Sequence, residues 1–387
     1  MDKLKIIIYS TIRFLLRAFW IFPVNRKRLV FLSFSNKSYA CSPKYIYRYL
    51  KQHSTENLEY VWILNSDISY DDLKGVKCVP KKTILFYYYM MTAAVIINNN
   101  IAPSYYPFRK SQLIIGTWHG GGSYKKWGID VHGGLFNRKT FQIVADNVTY
   151  VISSCKAFSD SLMHAGLINK DKILPIGMPR NDLFFDNLDK NILYIKERLN
   201  ISATAKVVLY APTFRGLVDT AVYKRAIFDH GALTASLNKK FGGEWTILFR
   251  AHYALSEFEL PDSMIDVSAY PDMQELLLIS DVLINDYSSS MWDFSLMKKP
   301  CFIYAEDIEE YSRTRGFYTP MDQWPFPIAS TQEELIRNIE QFDEETYRLA
   351  VDRHHEELGS YETGTATKTI CKIICDYCGV TLDEHNL

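Results

Sequence analysis

Short apolar segments recur along the chain, and more polar, helix-like segments separate them. In the first half the apolar segments are VFLSFS (30–35), EYVWILN (59–65), VKCVP (76–80), AAVIINN (93–99), QLIIGTW (112–118) and YVISSC (150–155). SPKYIYRYLKQH and KKTILFYYYMMT, which lie between them, have the composition of helices. Strands that alternate with helices predict a parallel sheet covered by helices.

A second series of apolar segments begins after residue 205. It comprises KVVLYAPTFR (206–215), EWTILFRAH (244–252), IDVSAY (265–270), DVLINDYSS (281–289) and PCFIYAED (300–307). The sequence therefore predicts two α/β halves with a boundary near residues 185–205, and 387 residues suit two domains of about 100–200 residues each. The tail is predicted to be helical from Thr331, which forms a capping box with Glu334.

The first 28 residues are both basic and apolar. Seven lysines and arginines stand against Asp2 alone, a local excess of six positive charges. Arg13 and Arg17 interrupt the apolar residues, whereas a bilayer span takes about 20 apolar residues. Because the two arginines are one helical turn apart, the segment predicts a helix in the membrane interface with a basic side toward anionic lipid. The alternative is an apolar helix packed on its own protein.

Composition restricts the partners and cofactors. The 44 basic residues balance 44 acidic ones, so nucleic acid is not an evident partner. Seven scattered cysteines indicate reduced thiols in a cytosolic protein. Cys371, Cys375 and Cys378 have helical spacing and are predicted to form a buried face rather than a zinc site. The sequence has no P-loop, no zinc-protease motif and no evident acidic cluster, so no metal or cofactor is expected.

Polar clusters follow several predicted strands, at the edge where open parallel sheets bind ligands. TWHGGGSYKKWGID (117–130) follows one of them. Its glycines would let backbone amides approach a ligand, and His119 can titrate near neutral pH. Taken alone, the segment is equally consistent with a structural glycine turn whose lysines face water.

Two further clusters carry an arginine. In IGMPRNDLF (176–184), Arg180 can pair with a phosphate, or with Asp182 or Asp186 in a purely structural ion pair. In YAPTFRG (210–216), Thr213 and Arg215 lie just past a strand, where they suit a phosphate or a nucleotide. A helix cap beside a solvated arginine explains the second cluster equally simply.

The last two clusters offer stronger signals for an anion. In LFRAHY (248–253), Arg250 and His252 alternate in an extended segment, so two potential cations point the same way beyond an apolar strand. In INDYSSSMWDFSLMKKP (284–300), three serines begin a helix that offers free amides, hydroxyls and a positive dipole end. Asp293 lies about one turn in, within reach of sugar hydroxyls. The alternative for the serines is helix capping only.

Taken in order, WHGGG, KKWGID, GMPRND, APTFR, RAH and NDYSSSMWDF resemble the motifs of the CDP-glycerol glycerophosphotransferases of wall teichoic acid synthesis. The resemblance implies a GT-B type α/β architecture, with two Rossmann-like domains, an interdomain cleft and an N-terminal amphipathic membrane helix. The expected domains are the helix at 1–28, an acceptor and membrane domain at 29–190, and a CDP-donor domain with C-terminal helices at 191–387.

The resemblance also implies a bacterial enzyme that transfers glycerol phosphate from CDP-glycerol to a hydroxyl of an undecaprenyl-linked saccharide acceptor. CDP-ribitol is the alternative donor, and a capsule polymer is the alternative product. A GT-B nucleotide-sugar glycosyltransferase and a non-catalytic membrane module that binds nucleotide are the rival functions. The expected location is the cytoplasmic face of the cell membrane, as a peripheral, monotopic protein on anionic lipid. Whether it forms a homo-oligomer and whether it adds one unit or many stay open.

Site residues follow from the same resemblance. His119 matches the family's essential histidine and is the candidate base, and His252 is the second catalytic candidate. The expected donor contacts are Trp118, Gly120, Gly121, Gly122, Arg180, Pro212, Thr213, Arg250, Ser288, Ser289 and Asp293. Many relatives carry threonine and proline where this chain has Gly121 and Gly122, which leaves the contacts of this loop open.

Overall fold

The computed structural model divides the chain into two compact α/β units. The residues it describes are 2–65, 70–102, 105–131, 133–186, 189–212, 229–251, 260–261 and 263–383. The first unit comprises Met1–Gly121, Trp127–Phe185 and Gly359–Leu387, and the second comprises Gly122–Lys126 and Asp186–Leu358. Each unit contains one parallel sheet with helices, which confirms the predicted α/β class.

Seven parallel strands form the sheet of the first unit, within the described residues. They are β1 (Asn25–Leu32), β2 (Glu59–Ile63), β3 (Lys77–Val79), β4 (Ala93–Asn98), β5 (Leu113–Gly116), β6 (Tyr150–Ser153) and β7 (Ile173–Pro175). Their order is β3-β2-β1-β4-β5-β6-β7. The central strand β4 is buried along its whole length, which accounts for its unbroken apolar sequence.

Six parallel strands form the sheet of the second unit, again within the described residues. They are β8 (Lys206–Ala211), β9 (Trp245–Phe249), β10 (Met264–Asp266), β11 (Val282–Asn285), β12 (Cys301–Tyr304) and β13 (Ile328–Ala329). Their order is β10-β9-β8-β11-β12-β13. Strands β7 and β13 escape the sequence prediction because two or three residues give too short an apolar pattern.

The helices are numbered in chain order through the described residues. Those before the second sheet are α1 (Asp2–Leu16), α2 (Cys41–His53), α3 (Ile84–Thr92), α4 (Leu135–Asn147), α5 (Lys156–His164) and α6 (Asp189–Arg198). Those that follow are α7 (His230–Phe241), α8 (Met273–Ile279), α9 (Ser290–Ser295), α10 (Ile308–Thr314), α11 (Gln332–Glu340), α12 (Glu344–Leu358) and α13 (Ala366–Cys378). Thr331 caps α11 by accepting the N–H of Glu334, as the capping box predicts.

Helix α13 belongs to the first unit, although the sequence prediction groups it with the second half. The carboxylate of Asp182 accepts hydrogen bonds from the backbone N–H groups of Ala366 (3.2 Å) and Thr367 (2.6 Å), at the start of the helix. Its cysteines are buried, as predicted, and the Cys371 thiol donates to the Ile46 carbonyl of α2 at 3.7 Å. A capped, apolar helix therefore completes the first unit from a distant part of the chain.

The basic N-terminal segment forms helix α1 and a following 3-10 turn, Arg17–Ile21. Arg13 Nη1 donates to the Tyr106 carbonyl at 3.0 Å, so this arginine points at the protein. Large apolar side chains of the segment are instead exposed: Leu4, Ile7, Ile8, Phe14, Leu15, Trp20, Ile21 and Phe22. None of the described helices is both long and apolar enough to cross a membrane.

Candidate functional site

The strand order of the first sheet reverses between β1 and β4, which are direct neighbours. Such a reversal opens a crevice at the carboxyl ends of the strands, where open α/β sheets bind ligands. Three loops meet there through Asn99, which follows β4. Its side-chain Oδ1 accepts the N–H of Phe34 at 2.8 Å, and its backbone carbonyl lies 3.0 Å from Nδ1 of His119. The predicted base therefore stands at the reversal point.

The hydrogen bond of His119 defines which ring nitrogen can accept a proton. Its partner is a carbonyl oxygen, which can only accept, so Nδ1 carries the hydrogen. In the neutral ring Nε2 then holds the lone pair. The side chain is exposed, so a substrate can reach it. This arrangement has the tautomer and the access that a general base needs.

Two aromatic rings contact His119. Trp118 stacks on it with ring centroids 5.0 Å apart, and Phe34 approaches edge-on at 6.0 Å. Both residues have positive φ, 54° for Trp118 and 45° for Phe34. Bulky residues rarely adopt this left-handed conformation because it strains the backbone. The loops that present these rings are thus held in costly conformations around the candidate base.

The glycines after His119 are buried, and one of them is conformationally required. Gly122 has φ of 61°, and a Cβ there would lie 2.6 Å from Tyr124 Cε2 and 3.0 Å from Trp292 Cε3. Proline, with φ fixed near −65°, cannot adopt this conformation. Gly122 therefore gives this chain a loop that a threonine–proline pair at these positions could not form.

The segment that starts at Gly122 is held firmly within the second unit. The Tyr124 carbonyl accepts the N–H of Tyr318 at 2.7 Å, and Lys126 N–H donates to the Gly316 carbonyl at 3.1 Å. The Tyr124 hydroxyl lies 3.0 Å from Nε2 of His354, and both residues are buried. Burial lowers the pKa of His354 to about 4, so its ring is neutral at physiological pH.

Arg180 lies in the first unit, in the 3-10 segment Pro179–Phe185. The Cys41 thiol links it to the histidine turn, because it donates to the Trp118 carbonyl at 3.8 Å and accepts from Arg180 Nη1 at 3.9 Å. Glu362 holds the neighbouring backbone by accepting the N–H of Met178 at 2.9 Å. Arg180 is only 1% exposed, so its contact with a donor stays a prediction.

The second sheet reverses its order between β8 and β11. Pro212 follows β8, and Asn285 ends β11. Asn285 Nδ2 donates to the Ser288 carbonyl at 2.8 Å, and the Asp286 carboxylate accepts the N–H of Ser288 at 3.2 Å. Ser289 is the N-cap of α9, which is only six residues long, so amides and hydroxyls contribute more to this edge than a helix dipole does.

Arg250 follows β9 at the same edge, with its backbone N–H bonded to the Tyr210 carbonyl at 2.9 Å. Burial lowers the pKa of its guanidinium to about 10, and the Asp272 carboxylate opposes part of that shift. The group is therefore still charged at neutral pH. Its Nη1 is buried and has no hydrogen-bond partner among the described residues. A charged donor in this state favours an anionic ligand.

Asp293 is a less direct candidate. It is 3% exposed in the middle of α9, and its Oδ2 accepts a hydrogen bond from Gln274 Nε2 at 3.0 Å. A contact with a sugar hydroxyl stays a prediction. Thr213 and His252, the other two candidates of this unit, lie outside the described residues.

The first unit thus brings together His119, Trp118, Gly120, Gly121 and Arg180, and the second contains Gly122, Pro212, Arg250, Ser288, Ser289 and Asp293. Sequence reasoning missed Asn99 and Phe34. Asn99 is the middle residue of three consecutive asparagines, the first of which is the last residue of β4. Such a run of amide side chains after an apolar strand at the sheet's reversal point was the available signal.

Comparison with known proteins gives a consistent picture. Residues 14–376 match the family model of CDP-Glycerol:Poly(glycerophosphate) glycerophosphotransferase. The teichoic acid poly(glycerol phosphate) polymerase of Bacillus subtilis strain 168 is 34% identical over 346 residues, which cover 85% of this chain and 46% of that protein. The teichoic acid glycerol-phosphate transferase of Staphylococcus aureus is 32% identical over 373 residues, covering 90% of this chain and 93% of that one.

A solved structure supports the same relationship. A variant of the wall teichoic acid polymerase TagF superposes with a TM-score of 0.79 at 30% identity, covering 92% of this chain and 90% of that one. Another structure of that polymerase comes from a soak with CDPG. The chain spans about half the length of some curated relatives and nearly the whole length of others.

Proposed function

Because the chain belongs to the CDP-glycerol:poly(glycerophosphate) glycerophosphotransferase family, we propose that it transfers glycerol phosphate from CDP-glycerol to a hydroxyl of a lipid-linked acceptor in teichoic acid synthesis. The observation that carries this proposal is His119, an exposed imidazole at the reversal of the first sheet with its Nδ1 hydrogen committed to a carbonyl. Phosphate binding alone would not require such a group.

In the proposed reaction, the acceptor hydroxyl attacks the β-phosphorus of CDP-glycerol. Nε2 of His119 takes the hydroxyl proton as the new oxygen–phosphorus bond forms. The bond from the β-phosphorus to the bridging oxygen breaks, and its electron pair leaves with CMP. Positioning and charge stabilisation provide most of the catalysis in phosphoryl transfer, and a base of this kind adds roughly 10²- to 10⁴-fold.

The second unit would hold the donor. Arg250 offers a charged group with a spare donor, and the loop at Ser288 and Ser289 adds hydroxyls at the same edge of the sheet. His252 and Thr213 belong to the same proposed set, with His252 steadying the pyrophosphate and the departing CMP. Replacing His252 by alanine should weaken binding of CDP-glycerol, and unchanged affinity would argue against its role.

The proposed acceptor is carried by a lipid, and the exposed apolar surface of the first unit supports a membrane location. The 3-10 turn after α1 packs against α3 through the rings of Phe19 and Tyr87, and Phe22, which follows the turn, meets the Tyr88 ring with centroids 5.4 Å apart. Ile84 and Leu85 at the start of α3 are exposed as well. We therefore propose that α1 and the first turn of α3 form one membrane-binding surface of a peripheral protein.

Vesicle sedimentation tests this surface. Serine at Leu4, Ile7, Phe14 and Leu15 should release the protein from vesicles of phosphatidylglycerol and phosphatidylethanolamine. Leu349, an equally exposed leucine of the second unit, is the matched control, and its serine variant should sediment like the wild type. Unchanged sedimentation of the four-site variant would contradict the membrane proposal.

Mass spectrometry of the products tests the activity itself. The protein is incubated with a short lipid-linked disaccharide and with CDP-glycerol, CDP-ribitol or UDP-sugars in parallel. Addition of glycerol phosphate with release of CMP is the expected result. Transfer from CDP-ribitol alone would identify CDP-ribitol as the donor in place of CDP-glycerol. Transfer of a sugar would indicate a nucleotide-sugar glycosyltransferase. If no donor were consumed, a non-catalytic nucleotide-binding function would become the better explanation.

A further inference from the structure

Phe34 combines two unfavourable features in one residue of the first unit. Its backbone is left-handed, with φ of 45°, and its side chain is 38% exposed. Neither feature helps folding, because the conformation is strained and an exposed ring gains little from burial. Its ring nevertheless stands edge-on to the imidazole of His119, with centroids 6.0 Å apart. Strain at a position beside a reacting group points to a role in binding.

Asn99 holds this arrangement in place. Its side-chain Oδ1 fixes the backbone of Phe34 and its backbone carbonyl fixes the ring of His119. The residue is fully buried, and its Nδ2 has no hydrogen-bond partner within the part of the chain that the structure describes. A buried amide with an unused donor is unfavourable for stability. Because Asn99 does not serve stability in this respect, we assign it the role of setting the relative positions of Phe34 and His119.

We propose that the Phe34 ring is the binding platform for the acceptor, and that Asn99 is the residue that positions both platform and base. This inference rests on the proposed function above. The ligand is a saccharide ring or a polyol chain, whose C–H faces pack on aromatic rings while its hydroxyls stay exposed. The ring centroids of Phe34 and His119 are 6.0 Å apart, a distance comparable with the width of one sugar ring. A sugar bound on Phe34 would therefore bring one of its hydroxyls within reach of Nε2 of His119.

Three variants of Phe34 separate the ring from the backbone. Phe34→Tyr keeps the ring, Phe34→Ala removes it, and Phe34→Gly removes it and also relieves the strain, since glycine readily adopts positive φ. The measurements are KM for the lipid-linked disaccharide, KM for CDP-glycerol, kcat and the thermal midpoint. Direct binding of the disaccharide without donor is measured in parallel.

We expect alanine and glycine to raise the acceptor KM and the disaccharide Kd by about tenfold, which corresponds to about 1.4 kcal/mol. Tyrosine should stay within about threefold of the wild type, and the KM for CDP-glycerol should not change. The thermal midpoint of Phe34→Gly should match or exceed that of the wild type, which a merely structural role would not produce. Phe185, another exposed phenylalanine of the first unit, provides the alanine control.

The positioning role of Asn99 is tested by coupling. Asn99→Ala removes the acceptor of the Phe34 N–H and should raise the acceptor KM in the same direction. Combined with Phe34→Ala, it should add less than about twofold, because the Asn99 side chain acts on acceptor binding only by placing the Phe34 ring, which is then already absent. Independent, multiplying effects would overturn the positioning role.

Two results would overturn the platform. One is disaccharide binding that stays unchanged in both Phe34→Ala and Phe34→Gly. The other is a rise in the KM for CDP-glycerol alone, which would assign the ring to the donor. Because disaccharide binding is measured without donor, the platform is tested even if the wild type transfers nothing, and that failure would count against the proposed function only.

Discussion

The two sheets reverse their strand order in the same way, but they present different chemistry at the reversal. In the first unit an exposed histidine is fixed by a backbone carbonyl and enclosed by aromatic residues in strained conformations. In the second unit Arg250, whose Nη1 is buried, lies at the same sheet edge as a serine loop. The first arrangement suits taking a proton from a substrate that must enter and leave, and the second suits holding an anionic group in place. The two units thus share a sheet topology and differ in the side chains at its reversal point, and this difference is the basis of the proposed separation of acceptor chemistry from donor binding.

Loss of the proposed base, His119, should have the largest effect on activity. We expect His119→Gln to lower kcat by about 10²- to 10⁴-fold and to leave the affinity for CDP-glycerol within a few-fold. His164, an exposed histidine of the same unit, is the matched control, and His164→Gln should keep full activity. Steady-state kinetics and calorimetric titration with CDP-glycerol measure the two quantities. A near-normal kcat in His119→Gln would contradict the proposal that the first unit provides the general base.

Gly122→Ala tests how firmly the glycine loop is fixed in the second unit. It should lower the free energy of unfolding by about 2–4 kcal/mol, because a positive φ and the close contacts with Tyr124 and Trp292 all oppose a Cβ. Gly242 has a similar φ, 68°, and no atom within 4 Å of an added Cβ, so Gly242→Ala reports the backbone strain alone. Denaturant unfolding measures both. Equal losses in the two variants would mean that the contacts with the Tyr124 and Trp292 rings contribute nothing.

Arg250→Lys tests the proposed binding of the anionic donor by the second unit. A lysine keeps the charge but not the planar fork, so we expect CDP-glycerol to bind about 10- to 100-fold more weakly, on the scale of a lost charged hydrogen bond. Binding of the lipid-linked disaccharide should not change. Calorimetric titration of both ligands is the test. If both affinities fell together, the two units would not divide donor and acceptor as proposed.

The smallest expected effect is a pH dependence specific to the second unit. His354 is buried and His355 is half-buried on α12, and desolvation lowers the pKa of each to about 4, below the ordinary value of 6.5. The unfolded chain therefore binds more protons below pH 6.5, and stability is lost as the pH falls from 6.5 toward 4. For each histidine the loss from pH 7 to pH 5 should be about 1–2 kcal/mol.

The comparison of wild type with His354→Asn isolates this effect from the carboxylates. Unfolding at pH 7 and pH 5 should differ less in the variant, because it lacks one titrating group. An unchanged pH dependence in His354→Asn would show that this histidine does not titrate on unfolding.

Much of the fold follows from local pattern. Strands such as β4 and β11 are apolar runs bounded by polar residues, so the pattern reveals both their position and the edge at which ligands should bind. Helix α13 could be predicted as a helix but not assigned to a unit, because Asp182 reaches it from far along the chain. Long-range capping of this kind leaves no periodic signal in a sequence.

The residues of the candidate site likewise fall into those that the sequence reveals and those that it does not. His119 and Arg250 stand out because a titratable or charged side chain after an apolar strand is unusual. Asn99 does not stand out, since its role depends on a backbone carbonyl and on which loops meet at the reversal of the sheet. Phe34 was missed for a related reason, because nothing in its sequence context predicts a positive φ.

The return of the chain to the first unit has a consequence for synthesis. Asp182 has no helix N-terminus to cap until residues 366 and 367 have been made, and Met178 and Asn181 have no Glu362 to bond to until then. On the ribosome, the first sheet can pair its strands early, but the loop that carries Arg180 lacks these partners until the whole second sheet has been translated. The order of synthesis therefore leaves this loop to be fixed after both sheets exist.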